Sequence, residues 1–245
     1  MKYAIIAAGE GSRLIQEGID VPKPLVTIGG EHLIDRLIRI FVANSATEVA
    51  VICRPATDYP LMSGREFPSV EEHLHSLQRQ LNIPLYMVSK ATPSSMHSMF
   101  ELSERLQCEP FVLTTVDTIF REEEFSEYVK AFAQLLESGE ADGLMGVTDY
   151  IDDEKPLYVE TTADLQITAF LDTCRQPRFV SGGIYGLTPR SLQTLHRCIE
   201  RGESRMRNFQ RALIADGLRL KAHPFVKVLD IDHAGDIIKA EQFLR

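Results

Sequence analysis

Short apolar runs alternate with helical segments through the first half of this chain, and no other feature limits its fold as strongly. The runs KYAIIAA, EVAVIC, IPLYMVS and PFVLTTV are typical of buried strands. Apolar residues at helical spacing follow them and predict four helices, at residues 31–44, 70–81, 95–106 and 125–136. Strands that alternate with helices of this length predict a mostly parallel sheet with helices on both faces.

The second half is less regular. The segments ADGLMGVTDY, KPLYVETT, LQITAFLD and RFVSGGIYGL are strand-like with little helix between them. A helix is expected after Thr188-Pro189 and another at residues 206–216, and KAHPFVKVLDID is expected to close the sheet before a last helix. The expected fold class is therefore α/β, a Rossmann-like three-layer sandwich with a mostly parallel central sheet and a smaller antiparallel extension in the second half.

Composition narrows the classes of partner. The 245 residues are 44% hydrophobic, which is enough for a substantial core, and their formal net charge is −9. This charge, with no basic cluster longer than a dipeptide, argues against a nucleic-acid partner. The N-terminal apolar run is too short for a signal peptide, and no stretch is apolar enough to cross a membrane. We expect a cytoplasmic protein that binds small molecules; a homo-oligomer is left open.

A glycine-rich turn, AAGEGSRL, follows the first strand. Two glycines one residue apart let backbone amides approach a phosphate. Leu14 stands where a dinucleotide-binding G-x-G-x-x-G needs its third glycine, and no G-K-[ST] completes a Walker A loop. Arg13 follows the glycines, and Lys23 lies between two prolines that restrict its backbone. Both cations suit phosphate oxygens, although the turn alone also fits an ordinary β–α connection.

Aspartates follow two of the predicted strands. Asp117 comes directly after PFVLTTV, at the edge where open α/β sheets bind ligands, although it would also suit a helix N-cap. Asp230 and Asp232 alternate along a late strand, so both are expected to face one site. Since Mg²⁺ binds one or two carboxylates together with substrate phosphates, these aspartates predict a magnesium site. Asp236 is interpreted as a structural residue of the last helix.

Four ordered motifs together resemble the nucleotidyltransferase superfamily of sugar-1-phosphate nucleotidyltransferases, which includes short cytidylyl- and uridylyltransferases. AAGEGSRL with PKPL is similar to the G-x-G-x-R…P-K signature, and TTVDTI to the central metal-binding segment. SGGIYGL is similar to the sugar-side strand, and LDIDHAGDI to the late D-[IV]-[DG]-T-x-x-D segment. The resemblance covers nearly the whole chain. It implies a single domain over residues 1–245, with a nucleotide-binding half at 1–120 and an acceptor-binding half, including the late metal segment, at 121–245.

The resemblance also implies roles for individual residues. Arg13 and Lys23 would be catalytic, with Lys23 between the α-phosphate and the acceptor phosphate. The implied nucleotide-binding residues are Ala7, Ala8, Gly9, Glu10, Gly11, Ser12, Arg13, Ser94 and Ser95. The implied acceptor-binding residues are Lys23, Gly183 and Tyr185. The implied ligands of Mg²⁺ are Asp117 and Asp230, with Asp232 as the alternative second ligand.

Three positions depart from the family pattern: Val116 stands where Gly is frequent, Ser12 where Thr is common, and His233 in place of Thr. None of these removes a charged group that the chemistry needs. The base-reading segment, which corresponds to TPSSMHSMF, departs most and leaves the base open.

The function that we expect is nucleotidyl transfer. A phosphate oxygen of a sugar 1-phosphate or a phosphocholine-like acceptor attacks the α-phosphorus of an NTP, with CTP or UTP favoured, and pyrophosphate leaves. Such an enzyme would serve nucleotide-sugar biosynthesis. A glycosyltransferase is the first alternative, but its D-x-D motif usually lies mid-chain, whereas Asp230 to Asp232 lies near the C-terminus. A non-catalytic nucleotide-binding protein is the second, and it would have little use for a metal clamp.

Overall fold

The structure is a computed structural model that describes residues 1–59, 68–152 and 154–245. The strands of the described part are β1 Lys2–Ala7, β2 Thr27–Ile28, β3 Glu31–His32, β4 Glu48–Cys53, β5 Leu85–Ser89, β6 Phe111–Thr115, β7 Thr118–Ile119, β8 Gly143–Thr148, β9 Tyr158–Thr161, β10 Ile167–Leu171, β11 Phe179–Leu187, β12 Leu220–Phe225 and β13 Leu229–Asp230. The helices are α1 Ser12–Gln16, α2 Leu33–Ala43, α3 Val70–Gln78, α4 Ser95–Leu106, α5 Glu122–Ser138, α6 Arg190–Glu200, α7 Met206–Ala215 and α8 Ala234–Leu244. Short 3₁₀ turns occupy Lys23–Leu25 and Ala56–Asp58.

One nine-stranded sheet joins the two halves of the chain. Strands β5, β4, β1 and β6 lie side by side and run parallel. Strand β11 pairs antiparallel with β6 on one edge and with β8 on the other, and β12 runs parallel to β8. Strands β9 and β10 extend the sheet antiparallel from the start of β11. The predicted parallel first half and mixed second half are confirmed.

Helices cover both faces of the sheet, as predicted. Alternate residues of β1 point to opposite faces, because side chains alternate along a strand. Tyr3 and Ile5 belong to a core that also contains buried residues of α2, α3, α5 and α8. Ala4 and Ile6 belong to a second core, formed with α4, α6 and α7. The three-layer arrangement leaves the carboxyl ends of the parallel strands open at one edge.

The late segment differs from its prediction. KAHPF joins the main sheet within β12, but β13 pairs with β7 in a separate two-stranded sheet, in which Asp230 lies opposite Thr118. Asp117 lies between β6 and β7, so it caps no helix. The predicted strand therefore splits at Val226, and its second part packs beside the turn that carries Asp117.

Helix ends follow local capping. Ser69 Oγ accepts a hydrogen bond from the Glu72 amide at 3.2 Å where α3 begins, and α3 ends three residues before its predicted end at 81. Asp236 accepts hydrogen bonds from the amides of Asp232 and His233 at 3.2 and 2.8 Å, which agrees with its interpretation as a structural residue of the last helix. Within the described residues, no helix is long and apolar enough to cross a membrane.

Candidate active site

A cavity of about 650 Å³ lies beyond the carboxyl ends of β1, β4 and β6, and we call it the turn cavity. All of the residues predicted to bind the nucleotide line it, from Ala7 through Arg13 and at Ser94 and Ser95. Lys23, Asp117 and Asp232 line it too. The fold thus brings the glycine turn, the start of α4 and two of the predicted aspartates to one opening.

The glycine turn packs against the segment that carries Lys23. Gly11 has a φ of +63°, and a Cβ built on it would lie 3.3 Å from the Cβ of Lys23. Glycine therefore serves both the left-handed backbone and the close approach at this position. Nothing lies within 4 Å of a Cβ built on Gly9, so the structure places no such demand there.

Lys23 lies between two carboxylates. Its side chain is 10% exposed, and its Nζ donates to Asp117 Oδ2 and, at 2.9 Å, to Asp232 Oδ1. Burial by itself would lower the pKa of Lys23, but the charges and hydrogen bonds of the two carboxylates outweigh burial and raise this pKa. Burial would likewise raise the pKa of Asp117, and Lys23 instead lowers it. Lys23 therefore keeps its positive charge.

Backbone contacts hold the two carboxylates together. The amide of Ile231 donates to the carbonyl oxygen of Asp117 at 3.2 Å, next to the paired strands β7 and β13. Asp232 follows directly, where it contacts Lys23 and also accepts from Arg13 Nη1 at 3.2 Å. Asp230 is exposed and lines a second cavity. Geometry thus favours Asp232 as the partner of Asp117, the option that the sequence left as the alternative.

The second cavity has a volume of about 280 Å³, and we call it the β11 cavity. It lies between the first part of β11, the segment after β8 and the start of α8. Arg13 and Asp232 line both cavities, so the two openings meet at these side chains. From the acidic YIDDEK segment, Asp152 and Glu154 line the β11 cavity, while residue 153 lies outside the described residues.

The two residues predicted on the sugar-side strand occupy inner positions. Gly183 sits in an irregularity of β11 with a φ of +70°, and a Cβ built on it would lie 3.0 Å from Thr118 Oγ1. Tyr185 is 5% exposed and belongs to a core, where burial raises the pKa of its hydroxyl. From the same strand, Ser181 and Gly182 line the β11 cavity. Acceptor contacts by Gly183 and Tyr185 stay predictions.

Sequence reasoning missed Arg54. Its side chain is 12% exposed and lines the turn cavity, where Nε donates to the carbonyl oxygen of Ala8 at 3.3 Å and Nη2 lies 3.5 Å from Glu10 Oε1. The signal was available, because Arg54 directly follows β4, which lies beside β1. A cation at that strand end faces the same edge as the glycine turn.

Three cationic side chains at the turn cavity form ion pairs with carboxylates. Arg13 pairs with Asp232, Arg54 with Glu10, and Lys23 with both Asp117 and Asp232. Each of these three cations is therefore paired with at least one carboxylate.

The donor set fits magnesium. Asp117 and Asp232 both reach one ammonium group, so a cation can be shared by the two carboxylates at the place where the two cavities meet. Carboxylate oxygens are the ligands that Mg²⁺ prefers, and it completes its shell with phosphate oxygens and water.

Comparison with known families agrees with this geometry. The family model of MobA-like NTP transferase domains matches residues 3–165, more than half of the chain. The chain belongs to this family. It is a nucleotidyltransferase, as its four motifs implied, and the matched segment contains the glycine turn, Lys23 and Asp117.

Solved structures share the fold over the full length of this chain. The inositol-1-phosphate CTP transferase from T. maritima superposes with a TM-score of 0.74 at 17% identity and is covered over 97% of its length. A candidate glucose-1-phosphate thymidylyltransferase from Bacillus anthracis in complex with sucrose gives 0.81 at 15% identity and 95% coverage. The CTP:phosphocholine cytidylyltransferase from Streptococcus pneumoniae gives 0.74 at 15% identity and 99% coverage.

Proposed function

We propose that this nucleotidyltransferase binds an NTP in the turn cavity and a small phosphorylated acceptor in the β11 cavity, and that it releases pyrophosphate. The observation that carries the proposal is the junction of the two cavities. Arg13 and Asp232 line both, and the buried ammonium of Lys23 is held beside them by Asp117 and Asp232.

Binding and positioning account for most of the chemistry. The backbone amides of the glycine turn would bind the phosphates, and Arg13 and Arg54 would supply forked donors to phosphate oxygens. Lys23 would hold the α-phosphate and the acceptor phosphate against each other, so that an acceptor oxygen is aligned with the α-phosphorus. Two anions that repel in water are thereby held in contact by fixed cations.

The proposed magnesium ligands are Asp117 and Asp232. When bound there, Mg²⁺ would supply charge neutralisation at the α-phosphate and the leaving pyrophosphate. Since both carboxylates contact Lys23, metal binding would also weaken their hold on its ammonium. Lys23 and Arg13 would then be free to contact phosphate oxygens.

We further propose a pyrimidine nucleotide, CTP or UTP. The names of the three structural neighbours, which refer to CTP or to thymidylyl transfer, support a pyrimidine. Ser94 and Ser95 line the turn cavity beside the start of α4, where they can hydrogen-bond the base or ribose. Ser94 Oγ already lies 2.9 Å from His97 Nδ1, so its orientation is set by α4 itself.

The acceptor is a sugar 1-phosphate or a phosphocholine-like molecule. The same neighbours are named for inositol 1-phosphate, glucose 1-phosphate and phosphocholine, which supports this range. Tyr150 is the aromatic residue that lines the β11 cavity, and Lys227 Nζ already lies 4.0 Å from the centre of its ring. A quaternary ammonium would have to displace Lys227 to stack there, so this contact favours a sugar phosphate.

Pyrophosphate release tests the proposal. Each common NTP is incubated with Mg²⁺ and with a panel of sugar 1-phosphates, inositol 1-phosphate and phosphocholine, and pyrophosphate is measured. We expect release that depends on both substrates. Transfer of a sugar from a nucleotide sugar would instead support a glycosyltransferase, and nucleotide binding without turnover on every acceptor would contradict the proposal.

Replacing Lys23 tests the junction itself. Lys23→Ala should lower kcat by at least about 100-fold, because it removes a preorganised cation from the transferring phosphate. Lys130→Ala is the matched control, since Lys130 is exposed on α5. A folded Lys23→Ala variant that works at nearly the rate of the control would exclude the proposed role of this lysine.

A further inference from the structure

A cluster of two histidines and one aspartate lies outside the site described above. One ring nitrogen each of His32 and His73 and a carboxylate oxygen of Asp35 lie within 4.8 Å of one another. His32 directly precedes α2, Asp35 is in the first turn of α2, and His73 is in the first turn of α3. All three residues are half-buried. Nothing in the proposed transfer reaction uses them.

The hydrogen bond of His32 sets its tautomer. Its Nδ1 lies 2.7 Å from the carbonyl oxygen of Leu25. Because a carbonyl oxygen only accepts, Nδ1 is the donor, and in the neutral tautomer that makes this bond Nε2 keeps its lone pair. A histidine that binds a metal through one nitrogen commonly donates its other N–H to a backbone carbonyl in this way. Nε2 of His32 is therefore the ring nitrogen available to a metal.

The other two residues are already in contact. His73 Nε2 lies 2.6 Å from Asp35 Oδ1, and the rings of His32 and His73 meet edge to face with centroids 5.0 Å apart. Ligand atoms around a tetrahedral Zn²⁺, at bond lengths of about 2.0–2.2 Å, stand about 3.4 Å apart. The ligand atoms lie within 4.8 Å of one another and would reach this spacing by side-chain rotation, and a metal would replace the hydrogen bond between His73 and Asp35.

We propose that His32, Asp35 and His73 bind a Zn²⁺ ion, with water in the remaining position. Imidazole nitrogens with one carboxylate favour zinc and related transition metals over Mg²⁺. The ion would join the start of α2 to α3. Through the His32–Leu25 hydrogen bond it would also hold the 3₁₀ turn that carries Lys23. This site is separate from the proposed magnesium site and does not rest on the proposed function.

Cobalt(II), which replaces zinc in such sites and absorbs visible light, is the probe. The metal-free protein comprising residues 1–245 is titrated with Co²⁺ in the presence of millimolar Mg²⁺, followed by displacement with Zn²⁺. We expect a visible spectrum of nitrogen and oxygen ligation, saturation at one ion per chain, and loss of the spectrum on adding Zn²⁺. A wild-type protein with no such spectrum overturns the proposal.

Variants assign the spectrum to residues. His73→Gln and Asp35→Asn should each raise the dissociation constant at least about 100-fold, since even the outer partners of a ligating histidine are worth about 10- to 100-fold. His75→Gln is the matched control, because His75 is exposed two residues further along α3, and it should bind as wild type does. Wild-type affinity in folded His73→Gln and Asp35→Asn overturns the proposal.

A final variant separates this site from the aspartates. Asp117→Asn with Asp232→Asn should leave Co²⁺ binding unchanged. If this double variant loses the spectrum, the ion belongs to the transfer site and the proposal is wrong. Thermal unfolding of each variant by circular dichroism shows whether it is folded before titration.

Discussion

At the scale of single residues, the site depends on how Lys23 is held. Pro22 and Pro24 flank it, a 3₁₀ turn begins at it, and Gly11 allows the glycine turn to pack on its Cβ. Its long side chain is thereby confined, at 10% exposure, between carboxylates from two distant segments. Local sequence explains the confinement, but the choice of carboxylates comes from tertiary contacts.

The first residue-scale prediction concerns the two late aspartates. Asp232→Asn should lower kcat by about 100-fold or more, because it removes a carboxylate that contacts both Lys23 and Arg13. Asp230→Asn should lower kcat by less than about 10-fold, since Asp230 lies on the exposed side, facing the β11 cavity. Steady-state pyrophosphate release at saturating Mg²⁺ measures both. A larger loss of kcat in Asp230→Asn than in Asp232→Asn would instead favour Asp230 as the second ligand of Mg²⁺.

The second residue-scale prediction is a pH dependence of stability. Burial lowers the pKa of His223 below its ordinary value of 6.5, although Glu127 acts in the opposite direction. Below pH 6.5 the imidazole of His223 binds a proton more readily in the unfolded chain than in the folded one. The stability that neutral His223 contributes is therefore lost as the pH falls from 6.5 toward the lower pKa of the folded state.

Substitution isolates the contribution of His223. Its ring packs edge to face on Tyr128 and Phe225, at centroid distances of 5.4 and 5.5 Å. His223→Gln should reduce the loss in melting temperature between pH 7.5 and 5.5, whereas His75→Gln should leave the loss unchanged. An identical loss in His223→Gln and wild type would show that His223 does not contribute.

At the scale of elements, β11 is the strand whose conformation the sequence left least defined. Its pairing with β8 shifts register between Ser181 and Ile184, where Gly182 and Gly183 lie. This irregularity turns the first part of β11 toward the β11 cavity, while the second part stays paired between β6 and β8. The motif SGG signalled a special backbone, and the neighbouring strands determined which residues reach the cavity.

The prediction at this scale concerns Gly186 in the same strand. A Cβ built there would lie 2.7 Å from Tyr128 Oη and 3.0 Å from the ring of Phe132, both fully buried on α5. Gly186→Ala should therefore lower the free energy of unfolding by about 1–3 kcal/mol through overpacking. Urea unfolding measures this loss.

Gly235→Ala is the opposite case and the control. Nothing lies within 4 Å of a Cβ built on Gly235, which is in α8. This substitution should raise the free energy of unfolding by up to about 0.5–1 kcal/mol, since alanine favours a helix over glycine. Equal free energies of unfolding for the two variants would show that α5 can shift away from β11 and accommodate the added methyl group without loss of stability.

At the scale of the whole molecule, the nine-stranded sheet and the small β7–β13 sheet together position residues that are far apart in the chain. The glycine turn follows β1, Arg54 follows β4, Asp117 follows β6, and Asp232 follows β13 near the end. The ends of β1, β4 and β6 meet at one edge of the main sheet, and the β7–β13 pair brings Asp232 to the same edge, where two cavities adjoin. Binding of a nucleotide there should therefore stabilise the entire fold.

The prediction at this scale is a thermal shift. An NTP with Mg²⁺ at about 100 times its dissociation constant should stabilise the folded state by about 2.7 kcal/mol. For a chain of this size, that corresponds to a rise in melting temperature of about 5–11 °C. CTP or UTP should give a larger shift than ATP or GTP at equal concentration. A larger shift with a purine nucleotide would contradict the proposed base preference.

Much of the fold could be predicted because its signals are local. The helix α4 was predicted at its observed bounds, and the parallel first half followed from alternating strands and helices. The pairing of β13 with β7 could not be predicted in this way. Two-residue strands carry almost no periodicity, and only the packed turn around Asp117 provides a partner for β13.

The sequence by itself determined the α/β class, the glycine turn after β1 and the residue types of the site, since periodicity, glycine spacing and charge are properties of short segments. Only the tertiary structure decided that Asp232 joins Asp117 at Lys23, that Arg54 enters the turn cavity, and that Tyr185 lies in the core. These outcomes depend on distances between segments far apart in the chain. Such distances are set by strand order and by the packing of whole elements.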